Sequence, residues 1–149
     1  ELAGERINVA LLAHSQEDEH SCFSDNTHVD IAENARGIQN IFNGEYKRPN
    51  GKVVKGISLA ALVAEKDPEL SKTLVTKLAT SQENTGKLVT AAIGGEHFDQ
   101  QILPNNTAGN ARIQSVINAL RSQTADIEAS ADALGIENLN SETSDSFGE

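Results

Sequence analysis

Residues 67–95 read DPELSKTLVTKLATSQENTGKLVTAAIGG. Asp67 offers a carboxylate to the unpaired N–H groups of a first helical turn. Pro68 suits the first helical position, where its missing N–H is no loss. From there Leu70, Leu74, Leu78, Thr85, Leu88 and Ala92 recur in phase with a helical period, one face kept over roughly seven turns. Gly86 is an internal weak point, and Gly94-Gly95 ends the run. A helix this long must have its apolar face covered, so the flanking sequence is read as its partners.

Downstream, residues 96–103 form a short turn of mixed apolar and acidic sequence, closed by Pro104-Asn105-Asn106. A second long helix over 107–134 carries Ile113, Val116, Ile117, Leu120, Thr124, Ile127, Ala131 and Leu134 on one face, and Gly135 ends it. Residues 137–149, rich in Ser, Glu, Asp and Asn, are expected to be an acidic flexible tail. Upstream, Ser58 caps a short helix to about residue 66, with Leu59, Leu62 and Val63 facing in. Residues 45–56 are expected to be a loop turning at Pro49-Asn50-Gly51, with Val53-Val54 too short a pair to build a sheet on. Before it, a helix starting at Ser24 or Asp25 as cap carries Ile31, Ala35, Ile38 and Phe42, and Gly44 stops it. The first segment, residues 5–14, places Ile7, Leu11 and His14 on one face, and Asp18 extends that line if the helix continues. The expectation is an all-α, four-helix-bundle-like domain over residues 1–136, mostly antiparallel.

Composition agrees. Of the 149 residues 38% are apolar but only five are aromatic, which suits close packing of aliphatic helices better than a sandwich or barrel. The net charge of −10 argues against a nucleic-acid partner. The densest basic run is Lys47, Arg48, Lys52 and Lys55, in the expected loop. An acidic surface attracts cations or keeps the protein soluble. No apolar run approaches the ~20 residues of a membrane-spanning helix, and no signal-peptide pattern is visible. The opening Glu1-Leu2-Ala3-Gly4 reads as if cut from something longer. The single cysteine, Cys22, has no internal disulfide partner.

Chemistry concentrates in residues 17–30, EDEHSCFSDNTHVD, which hold two of the four histidines, the only cysteine and five of the 22 acidic residues. Traced backwards, the stripe of Ile31 and Ala35 reaches Thr27 or His28 and then Ser24. The first helix likewise ends its apolar face on polar residues, so two polar faces converge on one corner. Glu17, Asp18, Glu19, His20, Ser24, Asp25, Asn26, Thr27 and His28 are the candidate site residues. Glu17 with His20, and Asp25 with His28, form carboxylate–imidazole pairs at i,i+3 that suit a shared metal, so His20, Asp25 and Glu17 are the candidate ligands. A di-iron bundle needs further inward Glu on other helices, and the long helices supply none. The pattern His-Glu-x-x-His of zinc proteases is absent, and His14-x-x-Glu17 is too short a match to carry weight. A catalytic Cys22–His20 pair lacks an orienting third group. Glu96-His97 reads as a surface turn. The competing plain reading is a polar corner whose Ser24, Asp25, Asn26 and Thr27 merely satisfy helix ends.

The block running from Glu17 to His28, together with Glu1-Leu2-Ala3-Gly4-Glu5-Arg6, residues 58–67 and Ala133-Leu134-Gly135-Ile136, resembles imelysin-like proteins of the iron-regulated protein A type. The resemblance covers nearly the whole chain up to the tail. It implies a bacterial periplasmic or outer-membrane-associated protein of two similar helical bundles, linked to iron uptake. In that family a Gly-x-His-x-x-Glu motif of the N-terminal half faces the junction of the halves. This chain is similar to the C-terminal half, and Leu12 stands where the glycine before His14-x-x-Glu17 would be. The resemblance therefore implies a non-catalytic domain whose Glu17–His28 segment is one wall of an interdomain site for iron, zinc or an iron-containing ligand. Its partners would be the N-terminal half and membrane-associated uptake proteins. A metallopeptidase, as some relatives were described, would depend on the missing motif. A purely structural docking domain is the third reading.

Overall fold

A computed structural model describes residues 1–137. Among them the chain is all-α apart from one small hairpin. Its longest pieces are α2 (Thr27–Asn43), α4 (Pro68–Ile93) and α6 (Thr107–Ala133), with α4 in the middle and packed against both of the others. The N-terminal segment, π-helical over Leu2–Asn8 and continuing as α1 (Val9–Ala13), lies on α6 and α2 as the fourth helix of the bundle. Two short helices close the ends, α3 (Leu59–Ala64) and α5 (Phe98–Gln101).

The caps expected at Asp67 and Ser58 form, and Asn106 supplies a third. Asp67 accepts a hydrogen bond from Leu70 N at 3.0 Å, Ser58 from Ala61 N at 3.0 Å and Asn106 from Gly109 N at 2.9 Å. Each satisfies a first-turn N–H that would otherwise have no partner. Gly44 ends α2 at φ 62°, and a Cβ there would sit 2.9 Å from Ser58 Cα, so both backbone conformation and space require glycine.

Burial on α4 and α6 follows the stripes. Leu74, Leu78, Thr85, Leu88 and Ala92 are buried, as are Ile113, Val116, Ile117, Leu120 and Ala131. The core is divided in two. One cluster joins Ile7, Leu11, Ile31, Leu88, Phe98, Ile102, Ile113 and Ile117, and the other joins Phe42, Val63, Leu74 and Leu78. Part of the gap is polar: the buried Ser81 donates to Gln123 Oε1 at 2.8 Å across α4 and α6, and the buried Thr85 Oγ1 donates to Gln82 O at 3.1 Å. A buried hydroxyl and amide that satisfy each other set the register of two helices at little cost, whereas breaking one partner leaves the other desolvated and unpaired.

Four expectations need correction. Residues 45–55 are a hairpin, β1 (Glu45–Lys47) antiparallel to β2 (Val53–Lys55), with Tyr46 opposite Val54. Its strands are three residues long and exposed, so no apolar alternation marks them; the ladder and a Lys55–Glu45 ion pair of 2.7 Å hold it. On α3 only Val63 is buried, while Leu59 and Leu62 are each 40% exposed. Helix α1 stops at His14, which takes a left-handed conformation (φ 49°), so Asp18 falls in a separate turn and off the apolar line. Neither Ser24 nor Asp25 caps α2: its N-cap is Asn26, whose side chain makes no capping bond to a first-turn N–H. The tail expected at 137–149 lies, from residue 138 on, outside the described residues.

Gly86 is half-buried in the middle of α4, and a Cβ there meets nothing within 4 Å. Gly86→Ala is therefore expected to stabilise the protein by about 0.5–1 kcal/mol, through a less flexible unfolded chain and better helix propensity. A rise in the urea midpoint at unchanged m-value is the check.

Candidate functional site

The corner between α1 and α2 is stapled by its own side chains. Ser21 N donates to Thr27 Oγ1 at 3.1 Å, and the Thr27 hydroxyl donates in turn to Glu19 Oε2 at 2.9 Å. Ser21 Oγ donates to Asp30 Oδ2, and Asn26 Nδ2 reaches Asp30 Oδ1 at 3.5 Å. Two short 3₁₀ turns, Gln16–Asp18 and Cys22–Ser24, carry the chain between the helices. This cross-bonding fixes which side chains turn inward.

Of the nine candidate residues, Glu19, Thr27 and His28 are buried. Glu17, Asp18, His20, Ser24 and Asp25 are exposed, and Asn26 is half-buried. Ser24 Oγ only donates to Ser21 O at 3.2 Å. Adjacent residues diverge: Glu19 is covered, while His20 lies on a shallow groove along the outer face of α2 with Asp30, Glu33, Asn34 and Ile38. Among the described residues no three His, Cys, Asp or Glu side chains are arranged to hold a metal ion. Glu17, His20 and Asp25 thus form no coordination sphere by themselves.

What the fold brings to Asp25 is a residue from a distant part of the chain. His97 Nδ1 lies 2.7 Å from Asp25 Oδ2, at contact distance but out of hydrogen-bonding alignment. The His97 ring stands edge-on to His28, with centroids 5.5 Å apart and planes at 83°. The supposed surface turn at Glu96-His97 is therefore the opposite side of the corner. Phe98 and Ile102, spaced four apart and both buried, were the signal that a helical turn sits there and aims its neighbours. Gln101, also fully buried, locks the turn by donating to Leu88 O at 3.2 Å and Glu96 O at 2.9 Å and accepting from Arg112 Nη1 at 2.9 Å.

Besides His97 Nδ1, three polar atoms in this region are buried without a hydrogen-bond partner: Glu19 Oε1, His28 Nδ1 and Asp99 Oδ1. Burial raises the Glu19 pKa, and the negative charges of Asp99 and Asp25 raise it further against the lowering effect of the Thr27 hydrogen bond. Burial lowers the His28 pKa, with His97 as the next cause, against Asp25 and Asp30. Burial and then the carboxylates of Glu17, Glu19, Asp25 and Asp99 raise the pKa of the half-buried Cys22 thiol. A thiol held protonated is a poor nucleophile.

The two buried groups act oppositely on stability. Glu19 binds its proton more tightly when folded, so its contribution is full below its ordinary 4.5 and is lost as pH rises through the raised value. His28 resists protonation when folded, so its contribution is full above 6.5 and is lost as pH falls from there through the lowered value. Glu19→Gln removes the first effect alone. The variant is expected to exceed the parent in urea midpoint at pH 7 and to lose more stability than the parent between pH 7 and 5. Parallel curves for parent and variant would sink this assignment.

Over residues 1–127 the chain matches the family model described as imelysin, peptidase M75. No curated protein matches it. A match over that span, carried through the corner, α4 and most of α6, shows that the chain belongs to the imelysin family.

Proposed function

We propose that this domain is the non-catalytic C-terminal half of an imelysin-like protein of bacterial iron uptake, and that its polar corner is one wall of a site for iron, zinc or an iron-containing ligand. The observation that carries this is the pair of buried, unpartnered atoms, Glu19 Oε1 and His28 Nδ1, beside the Asp25–His97 contact. Leaving a buried polar atom unpaired costs about 1–3 kcal/mol, so one such atom on each of Glu19, His28, His97 and Asp99 supports a surface shaped for something that pairs them. The cargo is cationic in character, because the Asp25 and Asp30 carboxylates act on the His28 imidazole and Asp25 also contacts His97. The described residues gather too few donors to enclose a metal, and on this reading the remaining ligands come from the opposite wall.

Exposed apolar residues surround the corner. Leu12 is 72% exposed and Phe23 fully so, and Ile93 and Leu103 flank the segment that carries His97. A polar centre with such a rim suits enclosure by a second helical bundle. The family's N-terminal half is that partner, and a periplasmic or outer-membrane location with membrane-associated uptake partners follows from the same reading. Peptidase activity would need the Gly-x-His-x-x-Glu motif that this stretch lacks.

The test is calorimetric titration of Fe(II), Fe(III) and Zn(II) into the domain alone and into the domain combined with its N-terminal half. Binding is expected to tighten on combination. Asp25→Asn with His97→Gln, both partly exposed and so compatible with folding, is expected to weaken it at least tenfold. Unchanged metal affinity with reduced association of the halves would replace this reading with a structural docking role.

A further inference from the structure

We propose that the β1–β2 hairpin is an attachment point for an anionic phospholipid surface. It is remote in sequence from the polar corner and independent of what the corner binds. Four of the chain's 12 Lys and Arg residues, Lys47, Arg48, Lys52 and Lys55, fall within nine positions of a protein with net charge −10. Every residue from 46 to 57 is exposed. Among the described residues only Lys55 of these four has a carboxylate within ion-pair reach, Glu45 at 2.7 Å, so three cations face solvent uncompensated by direct contact.

The hairpin is also tied by backbone hydrogen bonds, unlike a loose basic loop. Its three-pair ladder is closed at the tip by Arg48 N–H to Lys52 O at 2.9 Å and Gly51 N–H to Arg48 O at 2.8 Å. At its base Gly56 N–H donates to Gly44 O at 2.9 Å, and Gly44 is seated against Ser58 too tightly for any side chain. The cations are therefore held together before binding, which avoids an ordering cost.

Apolar side chains sit among the cations. Tyr46, 52% exposed, is directly opposite Val54, 39% exposed, and Ile57 beside the base is 90% exposed. By strand alternation Tyr46 and Val54 share a face with Arg48 and Lys52, while Lys47 and Lys55 lie on the other face with Val53. A tyrosine and an aliphatic group beside two cations match the chemistry of a bilayer interface, where the ring and methyls enter the headgroup layer and the charged groups stay at the phosphates. A purely acidic protein partner would use the charges and leave these apolar groups without a role.

The experiment is sedimentation of the 149-residue chain with vesicles of phosphatidylglycerol mixed into phosphatidylcholine, and with pure phosphatidylcholine vesicles, over a series of salt concentrations. Binding is expected on the anionic vesicles alone and to weaken with salt. Each cation removed is expected to lower the partition coefficient about fivefold, so K47Q/R48Q/K52Q together lower it on the order of a hundredfold. Tyr46→Ser is expected to weaken binding without changing its salt dependence, and it keeps the test decisive if the triple variant does not fold. No binding to anionic vesicles at low salt, equal binding to neutral ones, or binding retained in the folded triple variant would overturn the proposal. So would displacement by inorganic phosphate, which would show a small-anion site, or preferential binding to immobilised polyglutamate, which would show an acidic protein partner.

Discussion

Phe98→Ala is expected to destabilise the protein by about 3–5 kcal/mol, the range for removing a fully buried aromatic ring. Phe98 has no exposed surface and packs in the larger core cluster with Ile7, Leu11, Ile31, Leu88 and Ile113. That cluster draws on the N-terminal helix, α2, α4 and α6, and Phe98 brings α5 into it. The loss is a large part of the ~5–15 kcal/mol by which a domain of this kind is stable, and it lowers the melting temperature on the order of 10 °C. The local effect is as informative as the global one. Phe98 is the anchor of α5, whose amides of Gln101 and Ile102 donate to His97 O and Phe98 O at 3.0 Å. Those two amides are expected to lose hydrogen-exchange protection first, and His97 then drifts from Asp25. Phe98→Leu, which refills part of the space, recovers most of the stability. An unchanged melting temperature in Phe98→Ala would mean that α5 is not docked into the core.

The contrast between α4 and α5 shows what the sequence made legible. On α4 the same apolar face returns through Leu74, Leu78, Leu88 and Ala92, and a repeated 3.6-residue period over many turns leaves no competing assignment. Phe98 and Ile102 give the same period once, in a helix of four residues, and one repeat is too little to tell a docked turn from a loop. His97 was missed for that reason. Its partner side was legible, because Thr27 and His28 continue the stripe of Ile31 and Ala35 and are buried as that stripe requires. The end of α1 was not. His14 adopts a left-handed conformation without being glycine or asparagine, and its Nδ1 lies 2.5 Å from Ile102 O. That stop is imposed by tertiary contact, so Asp18 looked like a continuation of the face. Asp25 failed as a cap for a related reason: it too is left-handed, and its carboxylate faces His97. The hairpin was hidden because exposed three-residue strands are specified by backbone pairing, which has no side-chain period to read.

Gly109→Ala tests whether the His97 side of the corner is held from behind by α6. Gly109 lies in the first turn of α6, where its N–H is bonded to the Asn106 cap at 2.9 Å. A Cβ placed there would be 2.5 Å from Gln101 O, 2.7 Å from Gln101 Cα and 2.7 Å from Asn106 Nδ2. Two of these three are backbone atoms, so no rotamer change relieves the clash and the segment carrying α5 must move. Overpacking of this kind costs about 1–3 kcal/mol and occasionally more. The movement also strains bonds converging on the same few residues: Asn110 Nδ2 to Gln101 O at 2.9 Å, Gln101 Nε2 to Glu96 O at 2.9 Å and Asn106 Nδ2 to Glu96 Oε1 at 2.6 Å. Each lost bond adds about 1 kcal/mol. The expected total is on the order of 3 kcal/mol, with a drop of roughly 5–10 °C in melting temperature. The site should change as well, since the clash pushes on the segment that holds His97. Nuclear Overhauser contacts between the His28 and His97 rings, whose centroids are 5.5 Å apart in the parent, are expected to weaken or vanish. Adding Gln101→Ala in the Gly109→Ala background restores neither property, because the colliding atoms of Gln101 are not in its side chain. If Gly109→Ala instead melts within about 1 °C of the parent and keeps the ring contacts, α6 does not brace the corner, and His97 owes its position to Phe98 and Gln101 alone.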